Sequence, residues 1–235
     1  MSVFTKFGLP PSVKLSAPYP TWSKKNIRTA ELAIIAAWHC LANSADTKQT
    51  LDFGTEVEIS TQLLNVLCSL LNAQSVHGFT GYVFEPPIRG QELEDVTGTE
   101  LEKRPDISIR LRTSTPYTQH NSLFFECKRI SPTRTVADYI NEGLIKFCDQ
   151  RYAWGMSHAG MLAYVQSVTP TPEAKIELEN YWLNKPTSFT VPICNLVVES
   201  NGTVSVAITT HKRFKPLPNG DTPGDITLRH LWLSN

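Results

Sequence analysis

The sequence predicts an α/β protein, a central mixed β-sheet flanked by helices and followed by a β-rich C-terminal extension. Two observations carry this between residues 55 and 167. Apolar residues recur at three- and four-residue spacing in segments bracketing short strand-like runs. These elements follow the order helix, strand, strand, strand, helix, strand. A third observation comes from the C-terminus, where Asn201-Gly202 separates two strand-like runs and reads as a hairpin turn.

Taken in chain order, Pro10, Pro11, Pro18 and Pro20 make the first two dozen residues an extended arm. A helix is predicted over 27–43, with Leu32, Ile35, Ala36 and Cys40 on one face, and a loop over 44–54. A second helix, 55–72, carries Ile59, Leu63, Leu67 and Leu70 in one broad stripe. Residues 79–88 read as a strand stopped by two prolines, and 91–102 as an acidic loop. Strands follow at 106–111 and 122–130, a helix at 135–152, a buried strand at 159–167 and a helix at 172–183. The last strand candidates are 189–200, 203–211 and 225–233. The expected division is an N-terminal arm and helix (1–54), a core (55–167) and the C-terminal β-rich extension packed on it (168–235).

Composition narrows the function. Of 235 residues, 41% are hydrophobic and 19% charged, which suits a globular chain with a sizeable core. Lysine plus arginine and aspartate plus glutamate each number 22, so no overall positive field draws in nucleic acid; binding needs a local patch or a partner. The five cysteines show no Cys-x-x-Cys spacing, which argues against a zinc site or a disulfide framework. The longest apolar run, 32–38, is too short to span a bilayer, and a soluble cytoplasmic protein without membrane partners is expected. No Gly-x-Ser-x-Gly or Walker pattern occurs, so serine hydrolase and P-loop ATPase chemistry find no support.

The informative stretch is RPDISIRLRTSTPYTQHNSLFFECKRI, residues 104–130. Strand side chains alternate faces, so Glu126 and Lys128 point one way while Phe125 and Cys127 enter a core. On the preceding strand Ile107, Ile109 and Leu111 form the apolar face and Asp106 the opposite one. Neighbouring strands can therefore present Asp106, Glu126 and Lys128 together. Two carboxylates a few ångströms apart repel, and a hard divalent cation relieves that repulsion. A lysine beside the cation can polarise a water or stabilise charge on a phosphate. An exposed ion pair would also place Glu-x-Lys at a strand end, and Pro-Asp is an ordinary strand start.

Pro105-Asp106 followed by Glu126-Cys127-Lys128, with the element order around them, resembles the PD-(D/E)xK nuclease superfamily of restriction-endonuclease-like proteins. The resemblance covers residues 55–167. It implies Mg²⁺, with Mn²⁺ able to substitute, held by Asp106 and Glu126, with Lys128 orienting water or stabilising the transition-state charge. It also implies a further acid from the preceding helix, Glu56 or Glu58. Glu56 falls within the apolar stripe on a helical wheel, whereas Thr55-x-x-Glu58 fits a capping box.

Lys146 and Arg151 on the following helix, and Lys212 and Arg213 beside Phe214, are the candidate phosphate contacts, although a solvated helix face and a solvated loop are the default readings of such residues. Lys24, Lys25 and Arg28 form a weaker basic group. The expected activity is metal-dependent phosphodiester hydrolysis, DNA favoured, in a restriction or defence setting. Cutting both strands of a duplex needs two sites, which fits a homodimer or a partner subunit. The alternatives are an inactive nuclease-fold scaffold and an RNA-directed nuclease or toxin.

Overall fold

A computed structural model describes residues 17–97, 104–166, 168 and 171–234. Pro10, Pro11, Ser167 and much of the acidic loop lie outside the described residues. The protein is α/β: six strands form one mixed sheet in the order β1-β2-β3-β6-β5-β4, with helices packed against it.

Helix α1 (Lys24–Ala42) starts at Ser23, whose side chain accepts from the Asn26 N–H, and buries Ile27, Ile34 and Trp38. Residues predicted as a loop contain a short helix, α2 (Ala45–Phe53). Its pattern was illegible because Leu51 is its only buried residue. Helix α3 (Glu56–Ala73) opens with a complete capping box between Thr55 and Glu58.

Strands β1 (Ile107–Ile109) and β2 (Leu123–Ile130) are antiparallel, with Ile107 opposite Phe125. The strand predicted over 79–88 does not form. That segment runs beside β1 through isolated bridges from Phe84 to Leu111 and from Ile88 to Ser108. Between these bridges Pro86 and Pro87 have no N–H to donate, so a continuous ladder is impossible.

After β2 a single helical run is divided into α4 (Val136–Asp138), a π-helical segment (Tyr139–Leu144) and α5 (Ile145–Cys148). It ends before the predicted residue 152, where Gln150 takes φ +63°. Strand β3 (His158–Val165) lies parallel to β2, with Glu126 opposite Met161. Helix α6 (Ala174–Asn184) leads to β4 (Val197–Asn201) and β5 (Val204–His211). Gly202 turns this hairpin at φ +62°, a conformation that favours glycine.

Strand β6 (Ile226–Ser234) then runs parallel to β3, with Met161 opposite His230, while β5 flanks it on the other side. The C-terminal strands thus continue the same sheet, and β6 lies in its interior. The two faces are covered differently. Trp38 of α1 stacks on Tyr164 at 5.6 Å, and Ser60 of α3 hydrogen bonds the same tyrosine, so α1 and α3 cover one face. On the opposite face Tyr139 of the π-helical segment meets His230 and Trp232. Among the described residues no helix is long and apolar enough to cross a membrane.

Candidate active site

The β1–β2 register, extended by one residue, sets Asp106 opposite Glu126. Asp106 Oδ2 accepts from the Cys127 N–H at 2.7 Å, which ties the start of β1 to the middle of β2. Glu126 and Lys128 share the face covered by the helical run, and Cys127 points the other way into the core, as period two requires.

Burial separates this cluster from a surface ion pair. Glu126 is 1% exposed and Lys128 8%. Lys128 Nζ lies 2.8 Å from Glu126 Oε1, donates to Glu56 Oε1 at 2.9 Å, and donates to the Cys127 carbonyl at 2.9 Å. From α5, Lys146 Nζ reaches Glu126 Oε1 at 2.5 Å and lies 5.4 Å from the centre of the Tyr152 ring. Two lysines therefore converge on one oxygen of Glu126, while its Oε2 is buried without a hydrogen-bond partner.

The electrostatics follow from this crowding. Burial pushes the Glu126 carboxyl up to about 7, reinforced by Asp106, although both lysines pull against the rise. Burial also raises Asp106, against the Cys127 N–H and Lys128. For Lys128, burial opposes the charge, but Glu126 and Glu56 outweigh it and hold the ammonium above its ordinary value. A pair of adjacent carboxyls kept reluctant to ionise, beside the firmly held Lys128 ammonium, is an arrangement for binding a cation and an anion together.

A divalent cation fits this donor set in a limited sense. Among the described residues no group of three or more His, Cys, Asp and Glu side chains could hold a metal ion. Magnesium, however, commonly takes only one or two protein carboxylates and completes its shell with water and substrate phosphate. Asp106 and the unpartnered Oε2 of Glu126 match that requirement.

The two candidate helix acids separate cleanly. Glu56 reaches the cluster through Lys128, whereas Glu58 accepts from the Thr55 N–H and hydroxyl and closes the α3 cap. The candidate phosphate contacts scatter. Lys146 belongs to the carboxylate cluster itself. Arg151 is paired with Asp149 at 2.7 Å. Lys212 is exposed, 4.0 Å from Asp225. Arg213 does not face solvent as a phosphate ligand would. It is 5% exposed and donates to the carbonyls of Ala153, Trp154 and Gly224, a clamp between loops. Lys24 and Arg28 are also engaged, with Glu199 and the Ser200 carbonyl.

Two participants were missed in the sequence. Gly143, on the π-helical segment, lies so close to Lys128 that a β-carbon there would stand 3.1 Å from Lys128 Cγ. Tyr152 supports Lys146 and donates to the Arg104 carbonyl at 3.0 Å. A small residue on the face of a helix following Glu-x-Lys was the available signal for Gly143; Tyr152 offered none. No protein-family model, curated protein or solved structure matches the chain.

Proposed function

We propose that this chain is a metal-dependent nuclease that hydrolyses phosphodiester bonds. The observation that carries the reading is the buried pairing of Asp106 with Glu126 across β1 and β2, with Lys128 held against it by Glu56. The succession α3, β1, β2, helical run, β3 supports a core of the restriction-endonuclease type, and DNA is the favoured substrate.

In this reading Asp106 and Glu126 hold Mg²⁺, or Mn²⁺ in its place. Such an ion supplies Lewis-acid stabilisation of the phosphate and lowers the pKa of a bound water. Lys128 presents its ammonium to the charge that builds on the phosphate oxygens, and Glu56 fixes the direction of that ammonium. Lys146 favours the ionised form of Glu126, which its burial alone would disfavour. Burial of the pair keeps bulk water from screening these charges.

A second reading, an inactive scaffold, is favoured by one feature: Lys128 and Lys146 already neutralise Glu126 without a metal. The deciding experiment compares wild type with Asp106→Ala and Lys128→Ala on linear, supercoiled and single-stranded DNA and on RNA, with Mg²⁺, Mn²⁺ or EDTA. Cleavage that needs metal and disappears in both variants is expected. No metal binding by wild type and no cleavage of any substrate would leave the scaffold.

A further inference from the structure

Segment 83–90 runs antiparallel to 105–112 at the outer margin of the sheet. Val83 accepts from the Arg112 N–H, Glu85 donates to the Arg110 carbonyl, Ile88 and Ser108 exchange both bonds, and Gly90 donates to the Pro105 carbonyl. This interrupted pairing ends beside Asp106 and carries one arginine–tyrosine couple, Arg110 with Tyr117, while a second tyrosine, Tyr82, follows the glycine that Arg112 contacts. The Arg110 guanidinium lies 4.5 Å from the centre of the Tyr117 ring, and Arg112 donates to the Gly81 carbonyl next to Tyr82.

Both rings face water: Tyr82 is 83% exposed and Tyr117 is 67% exposed. A tyrosine that stays exposed on a folded surface has forgone the burial that normally stabilises it. Tyr117 is moreover held in orientation, since its hydroxyl donates to Glu85 at 2.8 Å while Glu85 also pairs with Arg110. Such a couple offers a fixed aromatic face with a cation beside it. Among the described residues, neither Arg89 nor Arg112 has a carboxylate partner, so the margin carries two cations that no acid neutralises directly.

The spacing is what directs the assignment. Along the segment 106–112 that extends β1 at both ends, period two would set Asp106, Arg110 and Arg112 on one side. At about 3.3 Å per residue, Arg110 lies roughly 13 Å and Arg112 roughly 20 Å from Asp106. The two arginine positions are thus about 7 Å apart along the chain, roughly two base steps of 3.4 Å. Exposed rings accept bases only when those bases are unstacked from a complementary strand. We infer that Tyr82 and Tyr117, with Arg110 and Arg112, form a track that receives a single-stranded nucleic acid and leads it to the Asp106–Glu126 site. This inference rests on the nuclease reading for its purpose and names the strand type of that substrate.

The test is the binding of a fluorescently labelled thymidine oligonucleotide and of its duplex to the full-length protein in EDTA, where no cleavage intervenes. The single strand is expected to bind more tightly than the duplex. Tyr82→Ala and Tyr117→Ala should each weaken that binding roughly fivefold or more, and Tyr82→Trp should retain it. Unchanged affinity in the double alanine variant, or tighter binding of the duplex by wild type, would overturn the track. Metal-dependent cleavage that persists in the tyrosine variants at wild-type rate and affinity sinks the track and spares the nuclease. Single-strand binding lost in those variants, with no cleavage under any metal, spares the track and sinks the nuclease.

Discussion

The backbone of Gly143 lies directly against the Lys128 side chain, and a β-carbon at this position would stand 2.7 Å from Met161 Cε and 3.1 Å from Lys128 Cγ. The π-helical turn that carries Gly143 thereby sets where the Lys128 ammonium ends up. Short π-helical turns are frequent at functional sites. Met161 Cε is the free end of a flexible chain and can yield, but displacing Lys128 Cγ moves Nζ away from Glu56 and Glu126. Gly143→Ala should leave the melting temperature within a few degrees of wild type. If the chain is the nuclease proposed, the substitution should also lower cleavage by about one to two orders of magnitude, the effect of misplacing a group that acts on the substrate. Thermal unfolding and cleavage rates measured on one preparation check both.

Metal should stabilise the folded chain. A cation that binds only the native site raises the melting temperature with its concentration. Wild type is expected to show this rise in Mg²⁺ and to lose it in EDTA, while Asp106→Asn and Glu126→Gln show none. A rise of equal size in Glu126→Gln would exclude Glu126 as a ligand.

The two acids at the start of α3 should divide stability from activity. Thr55→Ala removes the cap of α3 and should cost about 1 kcal/mol. Glu58→Gln should lower the denaturation midpoint in the same direction while cleavage persists. Glu56→Gln should do the reverse, lowering cleavage with little effect on the midpoint, because it removes the charge that helps to direct Lys128 but leaves the cap intact. Denaturant titration beside a cleavage assay separates them.

Arg213 should behave as part of the interior. Its replacement by alanine leaves three carbonyls without their donor and should cost about 2–4 kcal/mol. Oligonucleotide affinity of the fraction that remains folded should not change. Weaker binding at unchanged stability would restore it to the surface role.

Acid sensitivity should come from two buried histidines. His230 is bonded to Tyr139 at 2.9 Å and to Thr209 at 2.8 Å, and Thr209 also bonds His211 at 2.7 Å. Burial depresses His211 to about 4; burial, helped by His211, depresses His230 to about 3. Their unfolded values lie near 6.5, so below that pH the unfolded chain takes up protons that the folded chain refuses. The histidine contribution is therefore fully present above about pH 6.5 and is lost as pH falls towards 4 and then 3, while the raised carboxyl of Glu126 works in the opposite direction between about pH 7 and 4.5. Denaturation midpoints should drop between pH 7 and pH 4.5, and the drop should be smaller in His211→Asn.

Much of the site was legible because its determinants are local. Period two alone sends Glu126 and Lys128 to one face and Cys127 to the other. Thr55-x-x-Glu58 specifies its own cap, and a glycine after Asn201 specifies the hairpin. These patterns need only neighbours in sequence, so the chain states them wherever it folds.

What only the tertiary structure decided involves partners far apart in the chain. Lys146 meets Glu126 from α5, directly after the π-helical segment, and no spacing rule announces that segment. Arg213 turns inward because loops around Ala153 and Gly224 offer carbonyls to a donor that resembles any surface arginine in the sequence. The place of β6 between β3 and β5 depends on which edge of β3 remains open once β2 has paired. An apolar run states that a strand is buried but not which neighbour buries it, and that choice belongs to the packing of the whole sheet.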